Sequence, residues 1–123
     1  MGYELHIVRT EQWSGATAIP ITKAEVEQLI APDSSLSWST TDYVEMKTED
    51  GTVARVYYIN WNEDPVFLWR RSEITCKNPD AAQTLKLAQM AAALGAVLLG
   101  DDGERYELGK TLFGKPKVTM RKS

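Results

Sequence analysis

The segment from Asn78-Pro79-Asp80 to Gly95 constrains the fold more than any other, because it carries start and stop signals for one helix between two strand-like stretches. Asn78 suits an N-cap, Pro79 the first helical position, and Asp80 complements the positive end of the helix dipole. Gln83, Lys86 and Gln89 form a polar spine, and Leu85, Ala88, Ala91, Ala92 and Leu94 fall on the broad opposite side, which predicts packing against a sheet. Gly95 stands where a left-handed C-terminal cap is expected. Glu73 to Lys77 reads as a strand leading in, and Ala96-Val97-Leu98-Leu99 as a short buried strand leading out. A strand, a tightly connected helix and a strand favour a right-handed crossover, hence one parallel pair in a mainly antiparallel sheet.

The remaining elements follow from period and turn chemistry. Tyr3-Glu4-Leu5-His6-Ile7 alternates apolar and polar, as a strand with one buried face does. Residues 11–21 read as a loop holding Trp13, Gly15 and Pro20. Thr22 and Glu25 form a capping box, with Ile21 as staple, for a short helix over Lys23 to Ile30 that buries Val26, Leu29 and Ile30 and stops at Pro32. A strand centred on Tyr43-Val44-Glu45-Met46 is expected within Leu36 to Thr48, then an Asp50-Gly51 turn and a strand from Thr52 to Trp61. Asn62-Glu63-Asp64-Pro65 is a turn, followed by strands from Val66 to Arg70 and, after a turn over Gly100 to Gly103, from Glu104 to Leu108. The basic tail, residues 109–123, adds an edge strand near Lys117 to Met120. The expected fold is one α+β domain over residues 1–123, a mixed, mainly antiparallel sheet of six or seven strands with two helices on one face.

Composition excludes several classes. The chain has 123 residues, 43% apolar and 25% charged, the balance of a globular domain able to fold without disulfides or a structural metal. No apolar run approaches the ~18 residues of a membrane-spanning helix, and the start lacks the features of a secretory signal. The single cysteine, Cys76, fits a reducing cytoplasm. From Gly109 onward there are five cations and no acid, so residues 1–108, with 9 basic and 17 acidic residues, carry a net charge of −8. An acidic body repels phosphate backbones and attracts basic partners, so direct contact with nucleic acid is not expected.

No motif specifies a reaction. Cys76 and His6, the only histidine, lie on strands that could adjoin, but nothing beside them marks an activated thiol, and both are better explained as strand residues. Asp101-Asp102-Gly103-Glu104 and Glu63-Asp64-Pro65 are dense in carboxylate yet lack the spacing of a calcium loop. Gly100, Gly103 and Gly109 do not follow phosphate-loop spacing, and His and Cys are too few for a conventional zinc site. No enzyme activity, cofactor or metal is expected. Trp13, Trp38, Trp61 and Trp69 are many for this length, and Tyr57 and Tyr58 must point to opposite sides of a sheet. If the helices cover one face, some of these rings lie on the other, as protein-binding anchors or beneath the Trp13 loop.

Three segments together resemble a group of small bacterial proteins, some of which look like immunity proteins of polymorphic toxin systems. They are Tyr3-Glu4-Leu5-His6-Ile7-Val8-Arg9 with Trp13 and Ile21-Thr22-Lys23-Ala24-Glu25, then Lys77-Asn78-Pro79-Asp80, then Gly100-Asp101-Asp102-Gly103-Glu104-Arg105-Tyr106. The first helix departs from the group, which places a tryptophan where this chain has Val26 to Leu29. The resemblance implies a cytoplasmic inhibitor that occludes the active site of a cognate protein toxin. An acidic body suits a basic toxin, such as a nuclease, with no membrane partner. Under that reading Trp61, Glu63, Asp64 and Trp69 bind the partner, and Asp101, Asp102 and Glu104 steer it. The alternatives are a homodimeric interaction domain and a small ligand-binding protein.

Overall fold

The computed structural model describes residues 3–39, 44–47, 51–70 and 72–122. Among them the chain forms β1 (Glu4–Val8), a 3₁₀ segment (Trp13–Ala18), α1 (Lys23–Ile30), β2 (Leu36–Trp38), β3 (Val44–Lys47), β4 (Val53–Trp61), β5 (Asp64–Arg70), β6 (Glu73–Lys77), α2 (Ala81–Ala93), β7 (Val97–Gly100), β8 (Arg105–Lys110) and β9 (Pro116–Arg121). The result is an α+β fold, mainly sheet. Tyr43 and Asp50 of the expected central strand and turn lie outside the described residues.

All nine strands join one open sheet in the order β2-β4-β5-β6-β1-β7-β8-β9, with β3 also on β4. Each pairing is antiparallel, which corrects the mixed sheet expected from sequence. The crossover through α2 does leave β6 and β7 pointing the same way, but β1 lies between them and bonds to both. Nine strands rather than six or seven arise chiefly because Leu36–Trp38 and Val44–Lys47 pair with different stretches of β4. β9 is the outer strand at one edge, as its lysines suggest.

The register draws a continuous apolar row across one face: Tyr57, Trp69, Ile74, Ile7, Leu98 and Tyr106. Both α-helices contribute to the core on this face, through Val26 of α1 and Leu87, Ala88, Met90 and Ala91 of α2. The periodicity assigned Leu85 and Ala92 to the buried side of α2, whereas Leu87 and Met90 occupy it and Ala92 is exposed. The reciprocal Thr22–Glu25 capping box forms as expected. The α2 cap is Asp80 with Gln83, not Asn78, because Asn78 adopts a left-handed φ of 48° and spends its side chain on the Tyr3 N–H at 2.9 Å. Gly95, at φ 63°, ends α2 in the left-handed conformation that glycine adopts without steric cost.

The opposite face is covered in its middle by the 3₁₀ segment, whose Ala16 packs with Val8 and Leu99. This leaves β1 buried on both faces. Among the described residues, no helix is long and apolar enough to cross a membrane.

Candidate functional site

On the face covered by the 3₁₀ segment, the antiparallel register brings His6, Glu73 and Asp101 together from three distant parts of the chain. His6 pairs across β1–β6 with Thr75 and across β1–β7 with Leu99. Its Nδ1 lies 3.1 Å from Glu73 Oε1 and its Nε2 lies 2.8 Å from Asp101 Oδ1. The Trp13 ring stacks on the imidazole at 4.5 Å, nearly parallel to it at 7°. The same indole N–H donates to the Asp101 backbone carbonyl at 3.0 Å. Burial opposes a charge on His6, but hydrogen bonds to two carboxylates outweigh it and raise the imidazole above its ordinary range. Burial would likewise raise Asp101, yet its bonds to His6 and to the Glu4 N–H hold it below the usual carboxylate range.

This cluster has two carboxylates and an imidazole but no nucleophile. Cys76 pairs with Leu5, so it points to the helix face while His6 points to the other. Burial, with the charges of Asp80 and Glu4, pushes the Cys76 thiol up to about 11. A thiol so held stays protonated, and a Cys–His dyad is excluded by strand alternation. The cluster therefore locks the 3₁₀ segment to the sheet. Sequence reading missed it because the three acid–base residues have no common motif; the one signal was the single histidine, at a polar position of an alternating strand.

The predicted partner-binding residues divide into groups. Trp61 ends β4, and Asn62 and Glu63, at φ 51° and 76°, form the two-residue turn into Asp64. Glu63 and Asp64 are exposed and Trp61 is half-buried, stacked 6.1 Å from Phe67. Trp69 stands apart. It lies on the helix face, its N–H donates to the Ile21 carbonyl at 2.9 Å, and its ring meets Tyr57 at 5.8 Å. Trp38 joins the same group at 5.6 Å from Tyr57, and Lys23 of α1 lies 4.6 Å from the Tyr57 ring centre. These aromatics seat α1 rather than form an uncovered opposite face, which corrects the expectation for Trp69.

Asp101, Asp102 and Glu104 turn the chain from β7 into β8. Asp101 is held by His6, Glu104 accepts from the Tyr3 hydroxyl, and Asp102 is exposed. Because the strands alternate in direction, this turn and the Asn62-Glu63 turn lie at the same end of the sheet. Four strand spacings separate the two turns, roughly 19 Å. Glu4 and Asp80 start β1 and α2 at that end as well.

A groove of about 700 Å³ lies between the helices, but its charges satisfy one another. Arg9 bonds Glu25 at 2.9 Å and the Leu94 carbonyl at 2.7 Å, while Lys86 bonds Asp33 at 2.6 Å. Among the described residues, no three of His, Cys, Asp and Glu converge as metal ligands. Compared with protein families, curated proteins and solved structures, the chain matches none.

Proposed function

We propose that this protein is a cytoplasmic immunity protein, a stoichiometric inhibitor that docks its acidic end on a basic toxin and covers the active site. The observation carrying this reading is the gathering at one end of the sheet of Glu63, Asp64, Asp101, Asp102 and Glu104, which come from two turns far apart in sequence. Glu63, Asp64 and Asp102 present charge to solvent, and Trp61 beside them offers a half-exposed ring to anchor contact. Asp101 and Glu104 add to the field while holding the turn to His6 and Tyr3.

A second observation supports the same end. Glu63 sits at φ 76°, where glycine is the favoured residue of a two-residue hairpin turn. A side chain kept in that conformation costs roughly 1 kcal/mol, and that of Glu63 is exposed to solvent. A carboxylate displayed at the tip for a partner accounts for it.

The test is expression of this chain beside the toxic C-terminal domain of a secreted protein encoded directly upstream. Survival through a one-to-one complex is expected, and the double substitution E63K/D102K should slow association and flatten its salt dependence. Cell death at every expression level, or an upstream gene for a metabolic enzyme instead of a toxin, overturns the reading.

A further inference from the structure

The β8–β9 hairpin ends in a feature that the inhibitor reading does not use. Leu112 and Phe113 are 101% and 93% exposed, far more than the other exposed apolar residues. The turn that carries them is well built. Thr111 N–H donates to the Lys115 carbonyl at 2.8 Å, Gly114 N–H to the Thr111 carbonyl at 2.9 Å, and Gly114 takes a φ of 80°. Two large apolar side chains are thus held in water by a hydrogen-bonded turn, with no contact of their own to gain.

The tip also projects. Tyr106 faces Leu98 of β7, so Lys110 stands three residues, about 10 Å, beyond the level of Val97, the first residue of β7. Lys110 on one strand and Lys115 and Lys117 on the other side of the turn flank the two apolar residues along the chain. Glu107 is the one acid of the hairpin, and Arg121 pairs with it at 3.1 Å. The acidic end lies the other way along the strands; Glu104 is eight residues from Leu112, roughly 27 Å in extended chain. That exceeds the ~8 Å Debye length at physiological ionic strength, so the carboxylates of that end are screened from the tip.

We propose that this hairpin tip inserts Leu112 and Phe113 into the surface of an anionic bilayer, with Lys110, Lys115 and Lys117 on the lipid headgroups. The shape decides between a bilayer and an acidic protein. A protein partner needs a broad complementary surface of the order of 1,000 Å² to form a specific complex. A bilayer needs only a protruding apolar tip ringed by cations whose stems lie along the interface. The lack of a spanning segment in the sequence does not bear on this contact, because a surface-bound tip requires none. The proposal is independent of the inhibitor reading.

The experiment is co-sedimentation of the full chain with vesicles of phosphatidylcholine mixed with phosphatidylserine, against vesicles of phosphatidylcholine alone. Binding is expected to the mixed vesicles only and to weaken with salt. L112S/F113S should reduce it at least about tenfold, and K110E by about fivefold or more. In F113W, the added tryptophan emission should shift to the blue on mixed vesicles, a readout that a folding defect would not produce. Failure to bind mixed vesicles, as for a tip that seats in an acidic protein, overturns the proposal. So does binding that L112S/F113S leaves unchanged, or an F113W emission that does not move.

Discussion

His6 illustrates how one residue acquires its role from three segments. Its side chain is 4% exposed, with a carboxylate on each nitrogen and an indole over its face. Replacing it by alanine strands Glu73, itself 7% exposed, without its partner, and should destabilise the fold by about 3 kcal/mol. The pH dependence has a definite sign. The folded His6 value is raised, so its contribution is complete below the unfolded value of about 6.5 and is lost as pH rises through the folded value. Asp101 is lowered, so its contribution holds above the unfolded value of about 3.9 and is lost on acidification. The melting-temperature gap between wild type and H6Q should therefore be widest between about pH 4 and 6.5 and shrink in alkali. A gap that stays constant from neutral to alkaline pH would remove the doubly paired imidazolium. At Cys76 the expectation is chemical: a buried thiol raised to about 11 should resist alkylation at pH 8 until the protein unfolds, as mass spectrometry can follow.

At the scale of elements, the caps and turns separate local signals from tertiary ones. Thr22 caps α1 where the sequence places it, and T22A should cost about 1 kcal/mol in chemical denaturation. For α2 the sequence points to Asn78 as the cap and gives Asp80 only a place near the positive end of the dipole, whereas Asp80 is the cap. The reason is that β1 runs past the start of α2, and Asn78 exchanges hydrogen bonds with the Tyr3 backbone in both directions. D80A should accordingly cost about 1 kcal/mol and lower helix content, whereas N78A should loosen the start of β1 and leave the α2 cap intact, as amide exchange would show. The Asn62-Glu63 turn gives a third contrast. E63G should raise stability by up to about 1 kcal/mol while weakening partner association. A loss of stability in E63G would mean that Glu63 makes a structural contribution, and would withdraw it as a displayed charge.

For the whole molecule, the order of strands matters more than their number. The first strand in sequence lies deep in the sheet, bonded to residues some seventy and ninety positions later. A sheet completed by such distant pairings has a high loop-closure cost before its centre can form. Refolding is expected on the millisecond-to-second scale, and a chain lacking residues 1–8 should show no cooperative unfolding transition by calorimetry. The same alternation of strands sorts charge along the molecule, carboxylates on the turns at one end and the lysine-flanked apolar tip at the other.

What the residues determined by themselves was local: α1 and its capping box, the left-handed Gly95, strands β1, β4, β6 and β7 to within a residue or two, and the basic outer strand. Each depends on period, capping or a single backbone conformation, all set within a few neighbours. The insertion of β1 between β6 and β7, the burial of Leu87 and Met90 rather than Ala92, the seating of Trp69 under α1 and the pairing of His6 with Glu73 and Asp101 belong to the tertiary structure alone. Strand neighbours are chosen by which apolar faces meet across long loops, and that choice is a property of the assembled sheet. Only after it is made does a polar residue on an apolar strand find whether its partners are carboxylates or water.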